Sequence, residues 1–136
     1  MKLESPTSRR LAALLRAKLP HGVTFKHNDM STKGIPDLSV THAGRTIWVE
    51  AKYVDELSRI SDRCVKIFPA RDVDGIQWEH LRKMGGNGYL AVYTPLGVAL
   101  TRVSGYRESV ASLRLALEPL ETVAGRIVAI VKRREE

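Results

Sequence analysis

The chain has 136 residues, 43% hydrophobic and 27% charged, which suits one folded domain with its own core and little beyond it. Lys and Arg number 22 against 15 Asp and Glu, and the resulting net charge of +7 favours polyanionic partners through attraction and counterion release. The single cysteine, Cys64, excludes an intrachain disulfide and a thiolate zinc cluster, and it fits a reducing compartment.

Met1–Pro6 lacks the apolar core of a signal peptide, and no run approaches the ~20 apolar residues of a bilayer span. A cytoplasmic protein without membrane contact is expected. Ser5 is placed to cap a helix with Pro6 at its first position, and Leu11, Leu14, Leu15 and Leu19 follow at helical spacing. Pro20-His21-Gly22 ends it. Glu4 stands at the entry, where a helix dipole favours a carboxylate.

Val23–His27 alternates weakly as a first strand, and a polar loop follows in which Lys33 is a candidate for substrate phosphates. Pro36 cannot donate to a sheet ladder, so Gly34-Ile35-Pro36-Asp37 leads into a strand start, with Asp37–Thr41 as the strand. Asp29 lacks that proline context. His42–Arg45 reads as a hairpin turn, and Thr46–Lys52 is β-branched and aromatic. On that strand Ile47, Val49 and Ala51 share one face, while Trp48, Glu50 and Lys52 share the other. The hairpin therefore brings Asp37 back beside Glu50 and Lys52.

Two adjacent carboxylates resist ionising together, and a divalent cation relieves the conflict. Mg²⁺ takes one or two carboxylates and fills its remaining positions with water and phosphate oxygens. A neighbouring ammonium, Lys52, then serves an attacking water or the charge developing on phosphate. The constellation fits phosphodiester hydrolysis.

Tyr53–Asp72 reads as a mobile excursion with Arg59, Arg63 and Lys66 facing nucleic acid or a second subunit, or else as a surface loop held down by Ile67 and Phe68. Asp72 or Asp74 caps a helix running to Met84, with Ile76, His80, Leu81 and Met84 as its apolar stripe. Gln77 lies in the first turn, exposed on this pattern, and Trp78 is core or interface. Gly85-Gly86-Asn87-Gly88 stops the helix. Tyr89–Tyr93 and Val98–Val103 are strands around a Thr94–Gly97 turn. Arg107–Glu118 is read as a helix from Val110, Leu113 and Leu117, and Val123–Val131 as a strand or helix before a charged tail. No internal repeat or linker divides residues 1–136, so a single domain is expected. His21, His27, His42 and His80 lack zinc-ligand spacing, although His27 is a minor candidate beside the site.

Gly34-Ile35-Pro36-Asp37 followed by Glu50-Ala51-Lys52 resembles the PD-(D/E)XK nuclease signature. Gln77–Gly86 running into Tyr89–Tyr93 is similar to the glutamine-helix-glycine-strand pattern of its VRR-NUC branch, and Glu4-Ser5 also fits that branch. The resemblance implies an α/β fold, a restriction-endonuclease-like core with a mixed central β-sheet flanked by α-helices. It implies that Asp37 and Glu50 hold Mg²⁺ or Mn²⁺ with Glu4 as a further ligand, that Lys52 serves the water, and that Gln77 orients water or backbone nearby. It implies a structure-selective endonuclease on DNA, branched DNA such as Holliday junctions included. The stand-alone members are often phage-type. A two-fold junction would match a symmetric homodimer. The alternatives are a non-catalytic DNA-binding accessory module on the same fold, or a nuclease acting on RNA.

Overall fold

A computed structural model describes residues 4–27 and 35–133, without the side chains of residues 4 and 5. Helix α1 (Glu4–Lys18) leads into strands β1 (Val23–Lys26), β2 (Leu38–His42) and β3 (Arg45–Tyr53). A hairpin of β4 (Ile60–Ser61) and β5 (Cys64–Ile67) follows, then helices α2 (Pro69–Asp72) and α3 (Gly75–Arg82). Strands β6 (Gly88–Thr94), β7 (Gly97–Arg102) and β8 (Leu113–Ala116) precede helix α4 (Leu120–Lys132). The main sheet has five strands in the order β1-β2-β3-β6-β7, and a second has three, β4-β5-β8. Among the described residues only the β3–β6 pair of this sheet is parallel, so the main sheet is mixed as the resemblance implies.

The period-two pattern of β2 and β3 decides which side each helix covers. Leu38, Val40, Ile47, Val49 and Ala51 pack under Leu11, Ala12, Leu15 and Leu19 of α1 and Val123, Ala124, Ile127 and Val131 of α4. Burying each such Leu, Ile or Val side chain contributes about 1.5–3 kcal/mol. The expected leucine stripe of α1 is therefore its core face. Val123–Val131, left between strand and helix on sequence, belongs to α4.

The opposite face is only half covered. Trp78 and Leu81 of α3, with Val65 and Ile67 of β5, close over Leu90 and Val92 of β6 and Ala99 of β7. Towards β1 the cover thins among the described residues, and Phe25 is 59% exposed.

Three sequence expectations are corrected here. Tyr53–Asp72 is not an open excursion. Asp62 and Arg63, with φ of 51° and 59°, form a two-residue turn that pairs Ser61 with Cys64. Arg107–Glu118 is not a helix: a 3₁₀ turn at 107–109 is followed by β8, antiparallel to β5 with Ile67 opposite Leu113. Leu113 and Leu115 pack against the core at period two while Arg114 is exposed, and β5 gains a partner on the edge opposite β4. On α3 the inward residues are Trp78 and Leu81, whereas Ile76 is 47% exposed.

Gly88 lets α3 approach the sheet. A Cβ there would lie 2.3 Å from the Leu81 carbonyl oxygen. Gly88→Ala should therefore destabilise the chain by about 1–3 kcal/mol, as overpacked cores do, read as a lower urea midpoint at unchanged m-value.

Candidate active site

Strand register builds the site. Leu38 pairs with Val49 in the antiparallel β2–β3 ladder, so Asp37, one residue before β2, stands opposite Glu50. The Ala51 N–H donates to Asp37 Oδ2 at 2.8 Å, which pins the carboxylate between Glu50 and Lys52. Lys52 shares the Glu50 face of β3, and its Nζ lies 3.5 Å from Glu50 Oε2. The three groups expected to converge do so.

The electrostatics of the trio are strained. Glu50 is 2% exposed. Burial, and then the neighbouring Asp37, push its carboxyl up from 4.5 to about 8, against the opposing pull of Lys52. Its Oε1 is buried and has no hydrogen-bond partner among the described residues. An orphaned buried acceptor costs about 1–3 kcal/mol unless something completes it. Two hard carboxylate ligands with one oxygen unsatisfied fit a small divalent cation such as Mg²⁺. No group of three or more His, Cys, Asp or Glu side chains forms a metal site among the described residues. The Glu4 side chain, a candidate further ligand, and Lys33, a candidate phosphate contact, lie outside them.

Gln77 is held in place by the start of α3. Asp74 caps the helix by accepting from the Ile76 N–H at 2.8 Å, Arg107 Nη1 donates to the Val73 carbonyl at 2.6 Å, and Trp78 Nε1 donates to Gly105 at 2.9 Å. Pattern alone suggested an exposed residue. Instead Gln77 is half-buried, and its Oε1 is buried with no partner among the described residues, like Glu50 Oε1. No hydrogen bond joins Gln77 to Glu50 or Lys52 among the described residues.

The site is flanked towards β1 by a polar-aromatic row. His27 Nε2 and Ser39 Oγ are 2.8 Å apart, the His27 ring stacks on Trp48 at 5.6 Å, and the His27 N–H donates to the Asp37 carbonyl at 2.7 Å. Ser39 escaped the sequence reading. Strand parity was the available signal, since Ser39 pairs with Trp48.

The other candidates divide by exposure. Arg59 is 11% exposed, paired with Asp72 and with Glu56, and it donates to the Lys66 carbonyl. That arrangement ties β5 to α2. Arg63 at the hairpin turn and Lys66 on β5 are exposed, and Lys66 Nζ sits 5.4 Å from the centre of the Phe68 ring. Arg71 also covers that ring, at 4.5 Å.

No protein-family model matches the sequence, and no curated protein matches it at a significant level. Solved structures do match in fold. A Holliday junction resolvase, Hjc, from the archaeal hyperthermophile Archaeoglobus fulgidus superposes with a TM-score of 0.53 at 14% identity, over 91% of this chain and 97% of its own. A bacterial homing endonuclease superposes with a TM-score of 0.51, also at 14% identity, over 97% of this chain and 91% of its own. The fold is restriction-endonuclease-like, a mixed sheet between helices. No helix among the described residues is long and apolar enough to cross a membrane.

Proposed function

We propose that the chain is a Mg²⁺- or Mn²⁺-dependent DNA endonuclease of the VRR-NUC-like branch, acting on branched DNA as a homodimer. One observation carries the reading: Asp37, Glu50 and Lys52 meet across the β2–β3 ladder, with Glu50 buried and its Oε1 without a hydrogen-bond partner among the described residues. The net charge of +7 supports a polyanionic substrate. The fold shared with a Holliday junction resolvase supports a branched one.

Asp37 and Glu50 would hold the cation, with Glu4 a further ligand. When bound, such a cation acidifies water and neutralises charge on a phosphoryl oxygen. Lys52 donates from beside Glu50 to the attacking water or to a non-bridging phosphate oxygen. Gln77, fixed by its helix cap, orients that water. Arg63 and Lys66 contact the phosphate backbone from the second sheet, with Lys33 on the loop before β2. Arg59 shapes that surface through its ion pairs.

The test is a panel of labelled four-way junction, flap and linear duplex with Mg²⁺ or Mn²⁺. The junction is expected to be cut, and cutting should stop in excess EDTA. Cleavage that continues unchanged in EDTA would overturn the mechanism. Junction binding without cutting under any divalent ion would make the chain an accessory DNA-binding module, and cutting confined to RNA would move the substrate class.

A further inference from the structure

A cleft of about 850 Å³ lies at the far end of the sheet from Glu50, between the β2–β3 hairpin, the loop before β6 and the end of α4. Arg45, Arg102, Lys132 and Arg133 line it, and no described residue in its wall is acidic. Cationic side chains from three separate parts of the chain therefore line one cleft. Arg45 Nη1 donates to the Arg133 carbonyl at 2.8 Å, which fixes one side of the opening. Arg102, Lys132 and Arg133 are exposed.

The floor is built for an anion as well. Gly85 and Gly86 are consecutive left-handed residues, with φ of 61° and 87°. Neither N–H donates to a backbone carbonyl among the described residues. A Cβ on Gly85 would meet nothing within 4 Å, and one on Gly86 would meet Arg102 Nη1 at 3.8 Å, so the turn lies beside that guanidinium. Successive N–H groups in such a turn make a concavity suited to an oxyanion. His42 forms part of the wall, and its Nδ1 is buried with no partner among the described residues.

We infer that this cleft is a phosphate-oxyanion site, separate from the Asp37–Glu50–Lys52 centre. Guanidinium groups take phosphate oxygens in bidentate fashion, and the glycine N–H groups complete the oxygen shell. The strand from Arg45 to Glu50 spans about 17 Å at ~3.3 Å per residue, or roughly five nucleotide steps of 3.4 Å. A polynucleotide could therefore be gripped well away from the bond that is cut. The source of the phosphate is either a nucleic-acid backbone or a free phosphate-bearing molecule, and the two are separable by experiment.

Amide spectra of the ¹⁵N-labelled full chain would be followed during titration with inorganic phosphate, and separately with a short DNA duplex. The Gly85 and Gly86 amides should shift with both if the cleft holds backbone phosphate, or with inorganic phosphate alone if it serves free phosphate. Amides that stay put in both titrations would overturn the site. The double variant Arg102→Ala/Lys132→Ala replaces two exposed side chains and should fold normally. If the duplex occupies the cleft, the slope of log K against log salt should shrink by about 1.8, at ~0.9 per lost contact. In the duplex-responsive case an unchanged slope would equally overturn it. Glu50→Gln protein should titrate like the wild type, so loss of the nuclease reading would leave this result standing.

Discussion

Lys52→Ala is expected to fold and bind a four-way junction yet cut it about 10²–10⁴-fold more slowly, the usual cost of losing a positioned proton donor or charge stabiliser. The side chain is 25% exposed and its ammonium touches Glu50 Oε2, so its truncation removes charge without opening a cavity in either core. It also removes the cation that opposes the upward push on Glu50. The residual activity should accordingly move to higher pH, because Glu50 must lose its proton before it can bind a metal. Single-turnover rates across pH, at saturating Mg²⁺, test both points together. Full activity in the variant would remove Lys52 from the chemistry, and an unshifted profile would remove its coupling to Glu50.

Glu50→Gln should abolish cutting and stabilise the metal-free protein at alkaline pH. Burial and Asp37 raise the Glu50 carboxyl from 4.5 to about 8, so the folded state keeps a proton that the unfolded chain has released. Between those values the unfolded state binds fewer protons, and stability falls as pH rises. The full cost is present above about 8. It is on the order of 5 kcal/mol as an upper bound, at 1.36 kcal/mol per pKa unit. Glutamine keeps the shape without the charge. Urea unfolding at acid and alkaline pH should show a steep loss for the wild type and a flatter profile for the variant. Mg²⁺ should restore wild-type stability at alkaline pH and leave the variant unmoved. Equal wild-type stability at both pH values would mean that Glu50 ionises freely and that the site is looser than its burial indicates.

The parts of the fold that were legible beforehand are those where local pattern and tertiary demand agree. The Ala43-Gly44 turn has φ of 51° and 81°, and its glycine announced the hairpin that aligns Asp37 with Glu50. The Asp62-Arg63 turn has the same left-handed backbone without a glycine, so the β4–β5 hairpin carried no comparable signal. Leu113, Leu115 and Leu117 repeat at period two, yet Val110, Leu113 and Leu117 also satisfy a helical spacing. Pairing with β5 decided between them. Gln77 was named only through the resemblance, since a polar residue in a first helical turn looks exposed. The structure buries its Oε1, on a helix whose approach to the sheet Gly88 permits.

Sequence by itself determined the identity of the catalytic candidates, their side of the strand and the leucine face of the first helix, because strand and helix periodicities are properties of neighbouring residues. Tertiary structure alone decided that Glu50 would hold its proton to about 8, that Gln77 Oε1 would be buried, and that Arg45, Arg102, Lys132 and Arg133 would face one cleft. Burial and charge proximity arise between segments far apart in the chain, and no local pattern encodes how closely those segments will pack.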